Sequence, residues 1–393
     1  MVVPLVVKDI AAAVGALLVV ITGTSVIGTL IVPRPVASKL TRQIDRGVNA
    51  GFILITKHIN EYRIRDRVES THAATLLLCQ LVVWLGLFFV GFSLIFWPLV
   101  TGGITAAFHT AGPALWEIGN DRARGAGEQT ILDVASITGI ITVTLQIAYL
   151  PTLYSAFNRR ETDVALLNAR AGVPSWGPEL LARTHYALGT GVSTLDTLPD
   201  LYESWERWAA DVAESHTTYL PLVRFRSPRP LSSWVTGLLA VLDSAALVMV
   251  LSPEVARQYS IEVPARLCLR SGFTCFREVA RAMGFEVPEE PDPSKGIALS
   301  YAEFMDAIDR LKRVDFPIKR KPEEAWPDFV GWRVNYEQAA YSIAREVEAV
   351  PALWSGPRRH EDCPAIPPIR PPEGRTTKKK AEAQPDGQPA PGG

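Results

Sequence analysis

Three long stretches without a charged side chain do most to limit what this chain can fold into. Residues 10–32 (23 residues), 76–100 (25 residues) and 134–154 (21 residues) contain no Asp, Glu, Lys or Arg. A helix of about 20 residues crosses the hydrocarbon core of a bilayer. Lipid gives the backbone no hydrogen-bond partner, so each run is predicted to be a transmembrane helix. For the first run a signal peptide is the competing reading. Apart from Lys8, its basic residues follow the apolar run rather than precede it, and a span fits that order better.

The loops set an orientation. The stretch 33–71 carries Arg34, Lys39, Arg42, Arg46, Lys57, Arg63, Arg65 and Arg67, whereas the connection between the second and third runs carries only Arg122 and Arg124. Basic loops stay on the cytosolic side. This places the N-terminus outside and everything beyond the third run inside. Tyr149 and Tyr154, followed by Arg159 and Arg160, read as an interfacial aromatic belt and a basic anchor at the inner surface. Within the first cytosolic loop, Leu40, Ile44, Val48, Phe52 and Ile55 recur at helical spacing. That stripe suits either a helix lying on the inner leaflet or one docked on a cytosolic domain.

The connection after the second run is too apolar for an exposed loop. From 101 to 116 it has no formally charged residue, yet it is too short to cross the membrane and return as two helices. A short helix that dips in and returns as extended chain fits, provided protein or a water-filled cavity surrounds it. In the third run Thr138, Thr142, Gln146 and Tyr149 share one helical face with Gly139 beside them. Such a face lines an aqueous path or glues helices together. His109 within the dip is placed either to titrate beside a pore or to cap the short helix.

Span, outward-facing dip, span resembles the pore module of the two-transmembrane potassium-channel superfamily, over about residues 75–155. The runs 146-QIAYLPTLYSAFNRRETDVALLNARAG-172, 174-PSWGPELLAR-183, 30-LIVPRP-35 and 326-WPDFVGWRVNYE-337 look like a group of uncharacterised bacterial ion-channel-like membrane proteins, over about residues 15–355. The superfamily's filter pattern would fall on Glu117, Ile118, Gly119 and Asn120, with Asp121 next, and only Gly119 fits it. The resemblance implies a homo-oligomer, a tetramer by analogy, in the bacterial cytoplasmic (inner) membrane. In such an assembly Glu117 and Asp121 would form acidic rings that favour cations such as K+ or Na+ by charge.

Beyond Arg160 the pattern is helical, with amphipathic segments at 163–171, 178–188, 201–212, 264–283, 301–314 and 335–349. Residues 234–251 hold one charge, Asp243, at their centre. In a span that aspartate costs roughly 2.5–3.5 kcal/mol, so a helix buried in an α-helical bundle is the preferred reading over a fourth span. Cys268 and Cys275 are expected in the core of a helix, and no CxxC suggests a thiolate metal site. No Walker loop, GxGxxG, HExxH or GxSxG occurs, and Glu214 and His216 do not share a helical face. His216 reads as a surface or packing residue. No enzymatic activity and no cofactor or metal is therefore expected, and a formal net charge of −1 gives no footprint for nucleic acid.

The expected protein is an all-α membrane protein. It comprises a first transmembrane helix (1–33), a cytosolic amphipathic linker (34–71) and a pore-like module (72–156) with a re-entrant segment (101–130). A cytosolic helical domain (157–355) and a disordered tail (356–393) follow. Its expected function is passive cation conduction past Glu117–Asp121 and the lining candidates Thr138, Gly139, Thr142, Gln146 and Tyr149. The alternative is a non-conducting scaffold or sensor that keeps the channel architecture with a degenerate filter.

Overall fold

A computed structural model describes residues 4–32, 39–116, 125–186, 194–360 and 362–369. Every regular element among them is helical, and one isolated bridge pairs Ala352 with Ala365. Four helices are long and apolar enough to cross a membrane: Leu5–Leu30, Tyr62–Phe96, Ala126–Ala171 and Trp234–Leu251. The chain divides into two compact units, Met1–Arg160 with Glu214–Arg226, and Glu161–Ala213 with Ser227–Gly393.

The first unit contains α1 (Leu5–Leu30), α2 (Lys39–Thr56), α3 (Tyr62–Glu69), α4 (His72–Phe96), α5 (Gly103–Trp116) and α6 (Ala126–Ala171) as far as Arg160. Small residues bring α1 against α4. A Cβ on Gly15 would sit 2.5 Å from the Gly91 carbonyl oxygen, and one on Gly91 would sit 2.8 Å from Val19 Cγ2. Close backbone approach of this kind drives helix association where the solvent is itself apolar. Nearby, Trp84 Nε1 donates to Ser25 Oγ at 3.2 Å, and the Thr29 and Thr41 hydroxyls lie 3.0 Å apart. The outward surface is aliphatic, with Leu17 and Val20 on α1, Leu78 and Val82 on α4, and Ile137, Ile141 and Ile147 on α6 all exposed. A soluble surface would not carry so continuous an apolar face.

The α2 stripe packs inward within this unit. Ile44 and Phe52 are buried, Leu40 packs on the α1–α4–α5 core, and the Phe52 ring stacks on His72 at 4.3 Å. Within the chain α2 has α4 as its partner. Only Leu54 and Ile55 of the apolar positions near its end stand exposed.

The second unit is built around α9 (Trp234–Leu251), buried at every residue except Met249. Around it pack α7 (Gly177–Tyr186), α10 (Pro253–Gln258), α11 (Glu262–Ala282), α13 (Pro322–Arg333) and α14 (Glu337–Glu346), while α12 (Tyr301–Lys312) packs on α7. The helix α8 (Leu198–Thr218) adds Tyr202, Trp205 and Trp208 to the core. At the centre of α9, Asp243 Oδ1 accepts from Arg333 and, at 2.8 Å, from the Tyr336 hydroxyl. Arg333 further donates to Glu337 at 2.9 Å, Tyr341 at 3.0 Å and the Trp354 carbonyl at 2.6 Å. The buried charge is thus paired and its remaining hydrogen-bonding positions filled, without which it would cost several kcal/mol. Glu179 of α7 bridges Arg183 (2.6 Å) and Arg310 of α12 (2.7 Å). Cys268 and Cys275 are buried in α11, and burial pushes both thiols up, which leaves them inert.

Candidate functional site

The helix α5 begins at a turn that only glycine makes easily. Gly102 and Gly103 have φ of +127° and +79°, and α5 starts there and runs back along α4. Phe108 meets Phe89 with ring centroids 5.3 Å apart, and Ala107, Ala111, Ala114 and Leu115 join Phe88, Phe92 and Phe96 in one core. Alanine at these positions lets α5 lie close. His109 is exposed on its other side, and Pro113 removes the N–H that would have bonded the His109 carbonyl.

The end of α5 abuts α6. A Cβ on Gly139 would lie 2.2 Å from the Leu115 carbonyl oxygen, and Ser136 Oγ donates to the Ala114 carbonyl at 2.8 Å. Gly139 is thirteen residues into α6, about 20 Å along its axis. The α5 terminus therefore stands deep beside the apolar part of α6, not level with its start. Glu117, Ile118, Gly119, Asn120 and Asp121 lie outside the described residues.

The five lining candidates on α6 can be placed. Thr138, half-buried, donates to the Val134 carbonyl at 2.7 Å, and buried Thr142 donates to the Thr138 carbonyl at 2.7 Å. Both hydroxyls are satisfied on their own helix. Gly139 is the α5 contact. Buried Tyr149 meets Tyr219 edge-on at 5.5 Å. Gln146 is buried, and its Oε1 finds no partner among the described residues, nor does Nε2 of buried Gln80 on α4. Leu77 packs with Tyr149 and Leu153, whereas Phe88 and Phe92 pack with Leu132 and Ala135, which makes α4 and α6 antiparallel. Gln80 leaves an unfilled donor on α4 and Gln146 an unfilled acceptor on α6. Thr142, Gln146 and Tyr149 consequently face the interior of their own chain. The opposite face of α6 carries exposed Ile137, Ile140, Ile141, Thr144 and Ile147.

No protein-family model, curated protein or solved structure matches this chain.

A second polar cluster was not expected from the sequence. Arg160 is fully buried and donates to His216 Nε2 (2.9 Å) and to the carbonyls of Leu222 (2.8 Å) and Phe225 (2.6 Å). An arginine only donates, so His216 Nε2 accepts and its Nδ1–H points to Ser215 Oγ at 3.0 Å. His216 is a packing residue with a fixed tautomer. Arg160 is no interfacial anchor, although its exposed neighbour Arg159 fits that description. From the same segment Arg224 grips Asp45 (3.0 Å) and Asn49 (3.2 Å) of α2, and Arg226 grips Asp66 of α3 at 2.6 Å. The only sequence signal was the charge itself. Its partners lie from 56 to 179 positions away.

Proposed function

We propose that this is an oligomeric membrane protein conducting cations passively, with α1, α4 and α6 as spans and α5 as a re-entrant helix. The segment before α1 faces outside and the second unit faces the cytosol of a bacterial inner membrane. The observation that carries this reading is the α5 terminus seated against Gly139. A helix C-terminus bears partial negative charge from its last carbonyls, and one held at depth in an apolar layer attracts cations such as K+ or Na+. Glu117 and Asp121 follow directly in sequence and would add acidic rings in a tetramer-like assembly. The pore wall of that assembly is the outward face of α6 around Thr144, since Thr142, Gln146 and Tyr149 are used within the chain.

The geometry of the second unit favours α9 as a core helix and not a fourth span. Glu179 precedes α9 and Arg310 follows it, and the two are ion-paired at 2.7 Å. A spanning α9 would separate its flanks by the ~30 Å of a bilayer core.

One observation favours a second reading, a non-conducting scaffold or sensor. The outward face of α6 is aliphatic apart from Thr144 and suits lipid or another helix as well as it suits a pore. The deciding measurement is cation flux into liposomes holding the purified protein, beside a Glu117→Gln variant. Selective flux that the substitution alters supports conduction. Absence of flux across voltage, pH and lipid composition supports the scaffold.

A further inference from the structure

The second unit contains a cavity of about 580 Å³ between the end of α9, α10, the start of α11 and α13. That volume falls within the range of small-molecule sites. Met249, Pro253 and Pro327 give it apolar surface, and Trp332 gives it an aromatic wall. Three arginines reach it, but they are not equivalent. Arg320 is held by Asp328 (2.7 Å) and the Glu324 carbonyl (2.9 Å), and Arg266 pairs with Glu262 at 2.8 Å. Arg257 is exposed at the cavity and has no acidic partner among the described residues. Two acids against three bases leave the lining with one uncompensated positive charge. Asn335 spends its amide N–H groups on the Gly331 and Trp332 carbonyls at 2.9 and 3.0 Å, which leaves its carbonyl oxygen as an acceptor at the cavity.

We infer that this cavity binds a small organic anion, a carboxylate or phosphate group on an apolar or aromatic body. Arg257 takes the anionic group, and Trp332 with Met249 and the two prolines takes the body. A guanidinium matches a carboxylate or phosphate in geometry as well as charge. An indole face suits a planar ligand. The inference is independent of whether the first unit conducts.

Gly331 gives a test that does not depend on removing a charge. It lines the cavity from within α13, and a Cβ added there meets nothing within 4 Å. Gly331→Leu therefore puts a bulky side chain at the cavity wall while improving helix propensity. The probes are benzoate and phenyl phosphate, with benzyl alcohol as the neutral control, titrated calorimetrically into the full chain in phospholipid-free detergent. Saturable binding of an anionic probe is expected. It should weaken by about tenfold or more in both Arg257→Gln and Gly331→Leu, with neither variant lowering the wild-type thermal midpoint. Absence of binding by both anionic probes overturns the inference, as does binding that survives Gly331→Leu unchanged. Repeating the titration in nanodiscs separates two sources of the same chemistry. Competition by acidic phospholipid assigns the natural ligand to a headgroup, and undiminished binding assigns it to a soluble anion.

Discussion

Gly139 shows how much of the packing of α5 on α6 depends on a missing side chain. Its Cα hydrogen faces the Leu115 carbonyl so closely that a methyl group in its place would stand 2.2 Å from the oxygen. Backbone cannot swing aside as a side chain can, so Gly139→Ala must push α5 away from α6. The expected cost is about 1–3 kcal/mol, typical of overpacking. Thermal unfolding in detergent reads it, with Gly86→Ala as control, because a Cβ at Gly86 meets nothing within 4 Å. A Gly139→Ala midpoint equal to that control would remove the close packing of α5 on α6. Single residues were also where the sequence was least legible. Gly139 was noticed as the neighbour of a polar face, but its contact with Leu115 requires the turn at Gly102–Gly103 to aim α5 first. Arg160 sits where an interfacial anchor belongs, and only the carbonyls of Leu222 and Phe225 make it a buried residue. Burial of a charge is decided by distant partners, and a local pattern does not carry them.

At the scale of elements the sequence was more informative, since helix existence follows from periodicity and span length follows from runs without charge. α1, α4 and α5 lie where the apolar runs placed them, and α7, α11, α12 and α14 match amphipathic segments within a few residues. The expected helix at 163–171 is instead the end of α6, which continues through Pro151 for 46 residues, about 69 Å. Proline removes one backbone bond, and an apolar surrounding gives the rest strong reason to stay made. No amphipathic segment was expected over α13, which holds Pro322 at its start, where the missing N–H costs nothing, and Pro327 within it. The orientation of α6 was not legible either, since a polar stripe looks the same whether it meets water or α4. Two substitutions two positions apart separate these cases. In a background with Cys79 and Cys363 replaced by serine, Thr144→Cys should react with a small hydrophilic thiol reagent in liposomes and block flux. Thr142→Cys, buried on the inner face, should stay unmodified. If both are protected in liposomes, the outward face of α6 meets lipid or another helix, and the scaffold reading replaces conduction.

For the molecule as a whole, the open question is the number of crossings, and composition alone cannot answer it. α9 is as apolar as a span, with a mean hydropathy of 2.0 against 1.8 for α6. What distinguishes it is its surroundings. The apolar window of α6 is 22% buried within the chain and that of α9 is 94% buried, wrapped by helices whose outer faces are charged. A helix needs either lipid or protein around it, and α9 already has protein. The Asp243–Arg333–Tyr336 cluster points the same way, because its members come from α9 and from chain more than 80 residues later. With three crossings, the chain on both sides of α9 shares one compartment. With four, 161–233 and 252–369 lie on opposite sides. Arg229 precedes α9 on an exposed turn, and native Cys363 follows it and is exposed. Arg229→Cys in a Cys363→Ser background and wild-type Cys363 should therefore show the same sidedness toward a membrane-impermeant maleimide. Both should be labelled in inside-out vesicles and protected in right-side-out ones. Opposite labelling would make α9 a span and would force the Glu179–Arg310 pair apart. Matching labelling from the outside would keep α9 in the core and invert the orientation that the basic loop at 33–71 implies.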